Sequence, residues 1–127
     1  MTAIARFSVV ALDCPDAPAL AEFYSRITGW PARRSFDDDD WIQLDPPDGH
    51  GAAIACQQVP DHRPPEWPGA EHPQQVHLDF DVPDLDAAEG QVLAAGARKH
   101  EVQPGKTFRV FLDPAGHPFC LVLDTGS

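Results

Sequence analysis

The chain has 127 residues, 9 Lys and Arg against 20 Asp and Glu for a formal net charge of −11, and 43% hydrophobic residues. That is the length of one domain, with enough apolar mass for a core, which excludes wholesale disorder. The charge repels phosphate backbones and anionic bilayers and so argues against nucleic-acid and membrane partners.

In chain order, the first apolar run, Phe7 to Leu12, is too short for a signal-peptide core or a membrane span and reads as a buried strand. Three cysteines, at 14, 56 and 120, are odd in number and lack metal-knuckle spacing, so they suggest a reducing, cytoplasmic location and no disulfide framework. Strands are expected over 5–13, 31–36, 41–45 and 52–59. A helix follows the first: Asp16 caps it, Pro18 sits in its first turn, Leu20, Phe23 and Ile27 make its stripe, and Gly29 stops it. A second set of strands, over 76–82, 97–102, 108–113 and 119–124, encloses a helix capped by Asp84, striped by Leu85, Ala88 and Val92 and ended by Gly96.

The two sets are one pattern written twice. Asp13-Cys14-Pro15-Asp16 returns as Asp81-Val82-Pro83-Asp84, and Leu44-Asp45-Pro46-Pro47-Asp48-Gly49-His50 returns, one residue shorter, as Leu112-Asp113-Pro114-Ala115-Gly116-His117. The single domain, 1–127, thus holds module one (4–59), a connector (60–75) and module two (75–124), each module βαβββ. Prolines 60, 64, 65, 68 and 73 make the connector stiff and extended. Trp67 within it either packs onto the body or covers a pocket.

Alternation divides each strand into two faces. Val76, Leu78, Phe80 and Val82 are expected beneath the helix, together with Phe108, Val110, Leu112, Phe119, Leu121 and Leu123. Cys56 falls on the helix-covered face of module one. The opposite faces collect Val9, Ala11, Trp41, Gln43, Ala55, Gln57, His77, Asp79, Arg109, Phe111, Cys120 and Val122. This blend of aromatic, amide, acid, base and thiol is what a small-molecule cavity needs.

Asp16 with Glu22-Phe23-Tyr24 and Thr28-Gly29-Trp30, the opening Val76-His77-Leu78-Asp79 and the ending Asp113-Pro114-Ala115-Gly116-His117-Pro118-Phe119 resemble the vicinal oxygen chelate superfamily. That group includes glyoxalase I, extradiol dioxygenases and bleomycin-resistance proteins, and the chain is most similar to its small glyoxalase-like domain proteins. With the repeat, the resemblance implies an α+β fold in which two tandem βαβββ modules form a cupped, partly open mixed β-barrel with the helices outside. Family members hold a divalent metal on the first and last strands of each module. Those positions fall on Val9, on Ala55 or Gln57, on His77, and on Cys120, where the family usually has Glu. Val9 and Ala55 carry no ligand atom. His77 and Cys120 are the two clear matches, short of the three protein ligands such metals usually need. A metal is therefore disfavoured, no other cofactor is expected, and glyoxalase I activity is not expected.

Two functions stand. In the first, a lyase or isomerase acts on a small polar or aromatic metabolite: His77 is the acid/base, Asp79, about 6.6–6.8 Å along the strand, orients it, and Trp41, Gln43, Gln57, Arg109, Phe111 and Cys120 bind substrate. Arg109 either grips a substrate anion or neutralises Asp79. Cys120 is either reactive or a small apolar filler, and His77 is either catalytic or a leftover ligand position. In the second, the chain sequesters a drug or metabolite on Trp41, Phe111 and Trp67 without chemistry. The His77, Asp79 and Arg109 group exceeds what holding an apolar compound requires, which favours the enzyme. His50 and His117 read as turn residues, and Asp37–Asp40 as a solvated hairpin turn. The partner expected is a small molecule; a monomer and a homodimer both remain open.

Overall fold

Both strand-to-helix junctions are closed by an aspartate. Asp16 Oδ1 accepts the Ala19 N–H at 3.0 Å and opens α1 (Ala17–Thr28); Asp84 Oδ1 accepts the Ala87 N–H at 3.1 Å and opens α2 (Leu85–Ala95). Each satisfies a helix-start donor that has no partner within the helix. The structure, a computed structural model, describes residues 3–34, 40–49 and 51–124. Asp37, Asp38 and Asp39 of the acidic run and His50 lie outside the described residues.

Strands β1 (Val9–Cys14), β2 (Ala32–Arg34), β3 (Trp41–Leu44) and β4 (Ala53–Gln58) accompany α1; β5 (Leu78–Val82), β6 (Arg98–Lys99), β7 (Phe108–Leu112) and β8 (Pro118–Leu123) accompany α2. They form two four-stranded mixed sheets, in the orders β1-β4-β3-β2 and β5-β8-β7-β6. The same order twice is the duplication of the sequence made physical. The fold is α+β, and no helix among the described residues is long and apolar enough to cross a membrane.

The chain divides into two compact units, Met1–His62 and Arg63–Ser127. In the first, Leu20, Phe23 and Tyr24 of α1 are buried with Leu12, Cys14, Ile42, Leu44 and Cys56, all at most 2% exposed. Burying such a side chain contributes about 1.5–3 kcal/mol. Cys56 is core as expected; Cys14 ends β1 fully buried, its thiol donating to the Gln57 carbonyl at 3.5 Å. Gln58 Oε1 accepts the Ala17 N–H at 3.0 Å and ties β4 to the start of α1.

In the second unit Leu85, Ala88 and Val92 of α2 are buried as the stripe requires. Phe119 stacks on Phe111 at 5.7 Å between centroids and meets Phe80 edge-on at 6.0 Å. This reverses the expected phase of β7. Register pairs Phe111 with Phe119 and Val110 with Cys120, so Phe111 and Arg109 lie on the helix side and Phe108 and Val110 on the other. Apolar residues occupy both parities of this strand, so alternation alone cannot choose. The acids of α2 do: Arg109 donates to Asp86 at 2.8 Å and to Glu89 at 3.1 Å, and Lys99 joins Glu89 at 3.1 Å.

The connector from Arg63 onward belongs to the second unit. A Cβ on Gly116, whose φ is +90°, would stand 2.6 Å from Pro64 Cβ, so the connector lies directly against the β7–β8 turn. Trp67 meets His100 edge-on at 5.2 Å. That turn is built by Asp113, fully buried, whose Oδ1 accepts the Ala115 N–H at 2.8 Å and the His117 N–H at 3.0 Å. Its repeat mate Asp45 instead pairs with Arg33 at 3.0 Å, both partners substantially exposed. Asp113→Ala is therefore expected to cost about 2–3 kcal/mol in denaturant unfolding, because two turn donors lose a buried acceptor, whereas Asp45→Ala should stay within about 1 kcal/mol.

Candidate functional site

Partners across a ladder share a face. The parallel β5–β8 register sets Asp79 opposite Cys120, and the antiparallel β7–β8 register sets Val110 opposite Cys120. His77, the residue before β5, thus stands beside Asp79, with Nε2 3.3 Å from Asp79 Oδ1 and both side chains about half exposed. Cys120 completes the group. Burial foremost, then the Asp79 charge and a hydrogen bond to that carboxylate, push its thiol up to about 11. Near neutral pH it is a protonated donor to Asp79 and not a thiolate nucleophile.

Beside this group opens a cavity of about 230 Å³. Trp67, Pro104, Phe108, Val110 and Pro118 form its apolar wall, and Gln74, His77 and Cys120 its polar points. Gln103 sets the loop that carries Pro104: its Oε1 accepts the Val110 N–H at 3.0 Å, and its Nε2 donates to the carbonyls of His100 and Val110 at 2.8 Å each. Gly105 lets the Phe108 ring lie flat on that loop, since a Cβ there would meet the ring at 2.0 Å.

The sequence-derived candidates therefore separate. His77, Asp79 and Cys120 come together. Arg109 does not neutralise Asp79; its guanidinium is taken by Asp86 and Glu89. Phe111 is fully buried beneath α2 and is unavailable to a ligand. In the first unit Trp41, Gln43 and Gln57 share one face of the sheet, Trp41 opposite Gln57 in register. There Gln43 is engaged at both ends: its Oε1 accepts the Trp41 Nε1–H at 3.2 Å and its Nε2 donates to Asp45 at 2.9 Å. Arg33 and then Gln43 hold the Asp45 carboxyl below its usual range. A larger groove, about 520 Å³, runs beside α1 among Glu22, Arg26 and Arg34, but its charges are of both signs and it holds no acid/base pair of the His77–Asp79 kind. Sequence reasoning missed Gln74, Pro104, Phe108, Val110 and Pro118. The signal for the β7 pair was the acidic side of α2, which claims Arg109 and turns its neighbours the other way.

The metal set that the family resemblance implies is incomplete here, since Val9 and Ala55 offer no donor. One atom each of His77, Asp79 and Cys120 lies within 4.8 Å of the others, so Asp79 adds a third donor to the two that the family positions supply. Holding a metal there would require the Cys120 thiol to give up its proton.

The glyoxalase-like domain family model matches residues 9–122. Among solved structures, a glyoxalase/bleomycin resistance protein/dioxygenase family enzyme from Burkholderia phytofirmans PsJN is 19% identical at a TM-score of 0.70, over 94% of this chain and 98% of that one. A glyoxalase/dioxygenase from Nostoc punctiforme is 22% identical at 0.66, over 98% and 97%, and the oxidase ChaP-H2 is 19% identical at 0.65, over 98% of each chain. These are likenesses of fold. No curated protein matches the chain.

Two outcomes are expected of this geometry. Cys120 should alkylate slowly with iodoacetamide at pH 8 and faster above pH 10, and Asp79→Asn should speed it at pH 8 by removing a charge that disfavours the thiolate; mass mapping separates it from buried Cys14 and Cys56. Protein purified without a histidine tag should carry metal well below one equivalent by elemental mass spectrometry. A full equivalent of zinc, lost in His77→Ala, Asp79→Asn and Cys120→Ser alike, would instead make the trio a metal centre.

Proposed function

The chain belongs to the glyoxalase-like domain family of the vicinal oxygen chelate superfamily, and from that footing we propose that it binds a small, partly aromatic metabolite in the 230 Å³ cavity and moves a proton on it with His77, as a lyase or isomerase. The observation that carries this reading is the His77–Asp79 approach of 3.3 Å at the edge of an apolar cavity. A carboxylate beside Nε2 favours the tautomer with its proton there, which leaves Nδ1 with a lone pair for the substrate. The proton taken by Nδ1 makes an imidazolium that Asp79 stabilises, and it returns to another atom of the same substrate or to its leaving group. The wall of Trp67, Phe108 and Val110 packs against the apolar part of the substrate, and a bound substrate that covers the half-exposed pair strengthens that electrostatic pairing. The raised Cys120 thiol keeps a second nucleophile out of the reaction.

The alternative, sequestration without chemistry, is supported by the predominance of apolar wall and by the commitment of Arg109 to α2. In that reading Trp67 and Phe108 do the holding, and Phe111 has no part.

A panel of small aromatic and carbonyl compounds, screened by line broadening in NMR, supplies a binder; exchange of its carbon-bound protons in D2O then reads chemistry. The enzyme reading expects exchange with wild type, and His77→Ala that binds alike but exchanges about 10²–10⁴-fold more slowly. Binders that never exchange with wild type would sink the enzyme and leave sequestration.

A further inference from the structure

Gln74 closes the connector three residues before His77 and lines the same cavity. Its Oε1 is buried without a hydrogen-bond partner, the one side-chain oxygen or nitrogen in that state among the described residues. Folded chains rarely leave such an atom, because an acceptor stripped of water and given nothing in return is costly. The oxygen itself is closed to solvent, but Gln74 lines the cavity and the terminal torsion of a glutamine is soft, so a turn of the amide can bring this oxygen to whatever fills the space. Around it the wall is aromatic and aliphatic, and no lysine or arginine lines the space. The Asp79 carboxylate stands 3.3 Å from the His77 ring that lines the space, and the chain carries −11 overall. An anionic ligand is therefore disfavoured, and a neutral molecule that brings its own donor is selected. At about 230 Å³ the cavity falls below the roughly 300–1,000 Å³ of drug-sized sites, which limits the occupant to one or two rings. Trp67 and Phe108 offer aromatic surface to pack against them.

We infer that Gln74 is the specificity-determining residue of this cavity, and that the ligand it selects is a neutral, flat, one- or two-ring molecule carrying an N–H or O–H donor, of the phenol or indole class. The inference rests on the reading of this cavity as the ligand site, given under Proposed function, and adds to it the identity of the reader. It also explains why a polar side chain stands in an apolar wall: it rejects a shape-matched molecule that lacks the donor.

Indole and benzofuran test this, having the same outline and differing by N–H against O. Calorimetry on the full chain should find indole bound about tenfold or more tighter than benzofuran by wild type. Gln74→Met, close in size and without the acceptor, should bring indole down to the benzofuran level and leave benzofuran unchanged. The thermal midpoint of Gln74→Met should equal or exceed that of wild type, because no bond within the chain is lost. Equal binding of the two probes by wild type, discrimination that survives in Gln74→Met, or a lowered midpoint that reveals a partner inside the protein would each overturn the assignment while leaving the cavity as a ligand site. Failure of both probes to bind at millimolar concentration would remove the cavity itself, and the assignment with it.

Discussion

Everything in each unit follows from one pairing, the parallel ladder between its first and last strands. Parallel neighbours cannot be joined by a tight turn; the chain must cross over and return. In the second unit the crossover is α2, the pair β6 and β7 carries the chain across the sheet, and β8 comes back beside β5. That return sets Asp79 opposite Cys120. A slip of one residue would carry Cys120 to the helix side and bring Phe119 or Leu121 to the place beside Asp79. The register is held at its start by Asp113, which fixes the turn from which β8 departs. The group around His77 is therefore a product of the ladder, with the buried turn aspartate as its anchor.

The same ladder in the first unit leads elsewhere. Its register sets Ala11 opposite Ala55, two methyl groups with no chemistry to offer. On that sheet Trp41, Gln43, Asp45 and Arg33 form a hydrogen-bonded row, in which amide and carboxylate satisfy their neighbours. The duplicated aspartate shows the divergence in one residue pair: Asp45 is held near solvent by an arginine, while Asp113 is enclosed and shapes a turn. Two copies of one scaffold thus differ in what their exposed faces are free to do.

Much of this was legible in the sequence because it rests on local rules. The caps at Asp16 and Asp84, the stripe Leu85, Ala88 and Val92, and the common face of His77 and Asp79 need only the periods of helix and strand and the preference of aspartate for a helix start. The duplication exposed the order of strands. β7 was not legible, because Phe108, Val110 and Leu112 are apolar on one parity and Phe111 on the other, and a long cationic side chain hid which way its strand faced. Only the acids of α2, distant in sequence, decide that. Gln74 was invisible for a related reason: a glutamine in a proline-rich connector has no periodicity, and its meaning arises when the connector folds against the unit that follows it.

Gly105 has a bearing on how such a cavity changes over time. The ring of Phe108 rests where an ordinary side chain at 105 would have to be, 2.0 Å from the position of its first carbon. The capacity of the cavity is thus governed by a backbone position that touches no ligand. A single added methyl there moves a wall, and so shifts which molecules fit while every polar group keeps its place. Drift in ligand range can in this way precede any change in the chemistry.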